Sequence, residues 1–247
     1  MSIDISKAVG VKRIPSTIAY ASTHGSNPLD RLFSPYSAWT NHTIVTDNQH
    51  NLPACAGFAT ANWIECVIRR EIGHNAIRPR EQIDGEAIWR KARQMFWSHE
   101  PVDAGGLFMD QGFRAAIELG ILPRDTEVVA SRMSVSTLAA ELRKTPVLQG
   151  TSVSNGWTNP SRENGQIPDV LPDPNGGHAT CIIGVLRQED TDYVLFQNSW
   201  GPSWGMGGYG LLTAQQWEQC LISPLTTARL PWDFVNHDGW RDFIVRK

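Results

Sequence analysis

The chain has 247 residues, of which 41% are hydrophobic and 19% charged, with a formal net charge of −3. That is enough apolar material for one large core or two small ones. The absence of any basic run excludes a nucleic-acid footprint, and no stretch approaches the ~20 apolar residues of a membrane span.

Residues 1–45 are rich in Ser, Thr, Asn and Pro without a clear period, and read as an arm packing on the rest of the molecule. From Cys55 to Glu71 the apolar residues Phe58, Ala59, Trp63, Cys66 and Val67 recur at three and four, the stripe of a buried helix. Pro53 precedes it, Arg69 and Arg70 fall in its last turn, and Gly73 stops it. A second helix is predicted from about Gly85 to Trp97, a third from about Met109 to Leu119, and a fourth over Ser136–Lys144, before Pro146. The texture then turns strand-like. Strands are predicted at 147–153, 179–186 and 193–197, with a long polar loop at 154–177 and a charged turn at 187–192. The order is a mainly helical part, 46–135, followed by a strand-rich part, 136–247.

Four cysteines are present, Cys55, Cys66, Cys181 and Cys220, with no C-x-x-C pair and no H-E-x-x-H. No metal and no cofactor are therefore expected. The N-terminal MSIDISKAVGVKRIP lacks the apolar core of a secretory leader, which predicts thiols rather than disulfides and a cytoplasmic location. Particle association or release by lysis would leave the same pattern.

Cys55 opens a helix. Unpaired N–H groups and partial positive charge there favour thiolate over thiol. Gln49 stands upstream and Phe58 follows; far downstream come Gly176-Gly177-His178-Ala179, Asn198-Ser199-Trp200-Gly201 and Trp204-Gly205-Met206-Gly207-Gly208-Tyr209. These pieces, in this order, resemble the papain-like cysteine peptidases, and Asp103-Ala104-Gly105-Gly106-Leu107 resembles that family's glycine-rich cleft segment. The resemblance covers roughly residues 40 to 215. It implies an α+β, two-lobed fold with a helical left lobe, an antiparallel β-barrel-like right lobe and the cleft between them.

The resemblance also implies roles. Cys55 would be the nucleophile, His178 its base and Asn198 the orienter of His178. Gln49 and the Cys55 backbone N–H would bind the oxyanion. Gly105, Gly106, Gly177 and Trp200 would line the substrate site, Trp200 also shielding the Asn–His bond. The implied function is hydrolysis of peptide or isopeptide bonds in a peptide or protein substrate, through a thioester acyl-enzyme. An acyl-transferase or ligase using the same thioester, and an inactive binding module, are the alternatives. The oligomeric state is not legible.

The chain departs from the family pattern at three places. Ala56 replaces the usual Trp after the nucleophile, Leu52 and Asp103 stand where the family has a disulfide pair, and no long helical propeptide precedes Gln49. The expectation is a divergent, prokaryotic- or phage-type member. Gly205-Met206-Gly207-Gly208-Tyr209-Gly210 also matches G-x-G-x-x-G, but lacks the strand-then-helix setting of a dinucleotide site. Trp157 is placed in the long loop, either reaching substrate or anchoring that loop at the surface, and His50 beside Gln49 is placed in solvent.

Overall fold

The computed structural model describes residues 34–39, 42–78, 80–168, 176–188 and 190–246. Most of the arm, including 1–33, lies outside the described residues, as does the 169–175 part of the long loop. The arm's described strand is β1 (Ser34–Ala38).

The helix predicted at Cys55–Glu71 forms over those residues as α1. All of its residues from Cys55 to Ile68 are buried, so it is a central rather than a surface helix. β2 (Glu81–Ile83) follows, then α2 (Gly85–Phe96), whose first turn is capped by the Asp84 carboxylate accepting from the Ala87 N–H at 2.9 Å. Gly57 on α1 lets α2 approach: a Cβ there would lie 2.4 Å from the Gly85 carbonyl oxygen and 2.7 Å from Trp89 Cβ. α3 (Met109–Glu118) completes the helical lobe and packs on both α2 and α1.

The strand-rich lobe contains β3 (Glu127–Ser131), α4 (Val135–Glu141), β4 (Val147–Ser152), β5 (Gly177–Gln188), β6 (Thr191–Gln197), β7 (Tyr209–Thr213), α5 (Ala214–Cys220) and β8 (Leu225–Arg229). Its strands pair antiparallel in the order β3-β8-β4-β5-β6-β7, with β1 on β5. Among the described residues the path does not close on itself, so the expected barrel is instead an open sheet with β3 and β7 at its ends. The long β5 serves two neighbours on one side. Its first half, Gly177–Ile182, pairs with β4, and its second half, Gly184–Arg187, pairs with β1. A register shift between Ile182 and Gly184 separates the halves.

The chain returns to the helical side at its end, where β9 (Ile244–Arg246) pairs antiparallel with β2. Residues beyond 136 thus contribute to both lobes. α1 packs across β4 and β5, and one apolar cluster runs through both lobes. No helix among the described residues is long and apolar enough to cross a membrane.

Candidate active site

Cys55 is the first residue of α1, and its cap, Ala54, offers no side-chain acceptor to the first-turn N–H groups. The partial positive charge of the helix end is therefore not spent on a capping side chain. Cys55 is wholly buried and in no disulfide. Cys66, Cys181 and Cys220 are buried too. Burial pushes the thiols of Cys66 and Cys181 well up, and that of Cys220 up to about 12, which leaves these three inert.

His178 is the second residue of β5 and pairs with Thr151 of β4. Asn198 directly follows β6, the other neighbour of β5. The two side chains meet: His178 Nε2 lies 2.7 Å from Asn198 Oδ1, and both residues are fully buried. Asn198 Oδ1 can only accept, so Nε2 carries a hydrogen. That leaves Nδ1 without the ring hydrogen in the neutral imidazole, buried and without a hydrogen-bond partner among the described residues. Burial pulls the imidazole down to about 4, and the Asn198 bond pulls the other way. An isolated imidazolium is thus disfavoured here, and charging His178 requires a negative partner formed at the same moment.

An aromatic box surrounds this imidazole. Trp200 lies tilted over it with centroids 4.5 Å apart, and Trp157 meets it edge-on at 6.0 Å. Trp157 is neither a substrate-reaching nor a surface residue. It is fully buried, stacks on Phe196 at 5.1 Å, and its carbonyl accepts from Trp204 Nε1 at 2.7 Å. The polar sequence around it hid this, because only the tertiary fold folds the loop inward.

Gln49 reaches the site through backbone lacing. Its N–H donates to the Ser199 carbonyl at 2.9 Å, and the Gly201 N–H donates to the Asp47 carbonyl at 2.9 Å. The side chain is oriented at both ends. Ser199 Oγ donates to Gln49 Oε1 at 2.6 Å, and Gln49 Nε2 donates to the Leu52 carbonyl at 2.7 Å. One amide hydrogen is therefore engaged with the Leu52 carbonyl. Sequence reasoning gave Ser199 no role. It lies inside the quoted Asn198-Ser199-Trp200-Gly201 motif, and a polar residue amid buried neighbours was the available signal. Its N–H also donates to Asn198 Oδ1 at 2.8 Å, so Ser199 holds both amides.

The glycine-rich run is a turn and not a nucleotide loop. Gly205, Gly207 and Gly208 have φ of 51°, 67° and 96°, values that favour glycine. The turn leads into a strand, β7, and the Gly208 carbonyl accepts from the Asn198 N–H at 2.9 Å. Gly105 is extended, with φ 173° and ψ 175°, and Gly106 beside it is buried. Gly177 opens β5 opposite Ser152. His50 is exposed, with φ of 52°, and its N–H donates to Asn48 Oδ1 at 2.8 Å.

The fold is two-lobed, and its buried His178–Asn198 pair is joined to Gln49 through Ser199. Residues 125–229 match the family model described as papain family cysteine protease. The chain is similar over 92% of its length to procathepsin L 3 of Tenebrio molitor larval midgut, with a TM-score of 0.64, 15% identity and 78% of that chain covered. It is also similar to xylellain, a cysteine protease from Xylella fastidiosa, with a TM-score of 0.56 and 19% identity over 91% of this chain and 97% of that one. Among curated relatives, cathepsin K of Mus musculus is 34% identical over 53 residues, which is 22% of this chain and 16% of that protein. Cysteine proteinase 3 of Dictyostelium discoideum is 34% identical over 50 residues, 20% of this chain and 15% of that protein. The matched segments are thus a small part of those curated relatives. The fold is that of the papain-like cysteine proteases, and the stretch from 125 to 229 carries the match to the family model.

Proposed function

We propose that this chain hydrolyses peptide or isopeptide bonds through a Cys55 thioester. The observation that carries the reading is the buried His178–Asn198 bond of 2.7 Å, which fixes one imidazole tautomer and presents Nδ1 as the proton carrier. Cys55 would transfer its proton to Nδ1, giving thiolate and imidazolium together. Each charge then offsets the desolvation cost of the other. The thiolate attacks the scissile carbonyl carbon. The resulting oxyanion is met by the Gln49 side-chain amide and the Cys55 N–H. His178 returns its proton from Nδ1 to the leaving amine, the C–N bond breaks, and a thioester remains. Water, deprotonated by Nδ1, then attacks the thioester carbon; the C–S bond breaks, the carboxylic acid leaves, and Cys55 thiolate with the proton on Nδ1 restores the starting pair.

Gly105 and Gly106 would pair with extended substrate, since no side chain intervenes. Gly177 and Trp200 would border the same cleft. The four cysteines, none in a disulfide, support a cytoplasmic setting.

The test is the rate of Cys55 alkylation by iodoacetamide against pH, with His178→Ala in parallel, followed by peptide hydrolysis with and without an added amine. Rapid alkylation well below pH 7 that slows in the variant supports the pair. Alkylation that rises only near the ordinary thiol pKa of about 8.5, unchanged in the variant, refutes it. Amide products in place of acids would make the chain an acyl-transferase.

A further inference from the structure

Arg93 is a charged residue with almost no exposed surface, in the last turn of α2. Burying a guanidinium is costly unless its donors are satisfied. Those satisfied here all point one way. Nη2 donates to Glu100 Oε2 and to the Pro101 carbonyl, both at 2.9 Å, and Nε donates to the Val102 carbonyl at 3.2 Å. Three consecutive residues are thus gripped by one planar fork. One helical turn earlier, Trp89 Nε1 donates to the Gly105 carbonyl at 3.3 Å. Arg90, beside it, pairs with Asp103 at 3.6 Å.

The gripped segment has little else to hold it. Residues 101–104 are exposed, and their local order is a single 3₁₀ turn closed by the Ala104 N–H on the Pro101 carbonyl at 3.0 Å. With few apolar anchors, such a segment would drift on its own. It leads directly into extended Gly105 and buried Gly106. An apolar residue at 93 would fill the space without fixing carbonyl positions. Lysine would supply one point charge in place of a rigid fork.

From this we infer that Arg93 is a positioning residue for substrate: with Trp89 and Arg90 it forms a strap from α2 that sets the Gly105–Gly106 backbone at the place and angle where an extended peptide pairs with it. The inference rests on the peptidase reading above. Backbone pairing is directional, so a segment displaced by a fraction of an ångström loses it while the nucleophile, on α1, is untouched.

The experiment compares wild type with Arg93→Lys, Arg90→Ala and Trp89→Phe in three reactions of Cys55. These are alkylation by iodoacetamide, inactivation by a peptidyl epoxide, and turnover of a fluorogenic peptide. For Arg93→Lys, KM rises and peptidyl-epoxide inactivation slows by about tenfold, the worth of a hydrogen bond or two. Iodoacetamide alkylation and kcat change much less. Equal losses in all three reactions would mean general damage, and no loss in the peptide-dependent two would mean no role; either overturns the inference. If Arg93→Lys shows no cooperative melt, Arg90→Ala, at a half-exposed position, and Trp89→Phe must show the same split in milder form. Its absence from both overturns the inference equally. Wild type that lacks accelerated alkylation would sink the peptidase reading itself, and this inference with it.

Discussion

Replacing Asn198 with alanine isolates the contact on which the proposed chemistry turns. The 2.7 Å bond to His178 Nε2 is fully buried, so water cannot step in for the lost carbonyl. When His178 is protonated the bond is charge-assisted and worth about 1.5–3 kcal/mol, which corresponds to roughly a ten- to hundredfold loss in kcat/KM at tenfold per 1.36 kcal/mol. The sign of the pH effect is also fixed. The Asn198 bond raises the His178 pKa, so its loss lowers it further and the imidazolium is surrendered at lower pH. The alkaline limb of the kcat/KM profile should therefore move toward acid. Asn198→Asp keeps an acceptor at the site and should recover part of the rate. The assay is kcat/KM on a fluorogenic peptide from pH 4 to 10, with thermal melts to separate lost fold from lost catalysis. A stably folded Asn198→Ala protein within threefold of wild type, with an unmoved alkaline limb, would refute the reasoning.

Ser199→Ala removes the hydroxyl that donates to Gln49 Oε1 at 2.6 Å. Steady-state kinetics should show kcat falling severalfold with KM nearly unchanged, a smaller loss than the hundredfold or so typical of deleting an oxyanion donor outright, as in Gln49→Ala. Gly57→Ala forces a Cβ to 2.4 Å from the Gly85 carbonyl oxygen, and overpacking of this kind costs about 1–3 kcal/mol. Urea unfolding followed by circular dichroism should show a lowered midpoint. In a Cys55→Ala background, where no thiolate can form, His178 has a folded pKa of about 4 against an ordinary 6.5. The native state then binds fewer protons than the unfolded chain in that interval, so stability is complete above it and is lost as pH falls from 6.5 toward 4. His42, lowered to about 4 mainly by burial, acts in the same direction, and His42→Asn should flatten part of the slope; a flat urea-midpoint profile across this window in the parent would contradict the burial of His178.

The elements legible in the sequence are those whose signal is local. α1 carries its own stripe, stop and basic last turn, and its limits are as expected. β8 was not visible because Thr226 and Thr227 are buried polar residues that break the apolar pattern. Thr227 is tolerated there because its hydroxyl donates to the Pro146 carbonyl at 2.9 Å, a partner 81 residues away. β9 is three residues long and exists only by pairing with β2. Whether the sheet closes depends on where β3 and β7 end up, and no single strand encodes that. The motifs around Gln49, Cys55, His178 and Asn198 were legible because they are short and occur in one order, and of these residues the structure joins His178 to Asn198 directly. Trp157 and Arg93 were not. A tryptophan in a polar loop and an arginine in an amphipathic helix both look like surface residues until the fold supplies their partners.

The way these partners are supplied explains why the site divides into three parts that respond differently to change. Residues 47–49 and 199–201 form one antiparallel lace, and the Asn198 N–H bond to the Gly208 carbonyl joins that lace to the glycine turn. Ser199 links the side chains of Gln49 and Asn198 within it. Gln49 and Asn198 are therefore mechanically one unit, and strain anywhere from 199 to 208 reaches both. Cys55 comes from a different direction, set by the packing of α1 on β4 and β5, so core substitutions along α1 act on Cys55 first. The proposed substrate edge comes from a third, through the α2 side chains that hold 100–105. A variant that disturbs one part should leave the signature of that part. Loss in the laced unit appears in kcat, loss along α1 in alkylation rate, and loss in the α2 strap in KM.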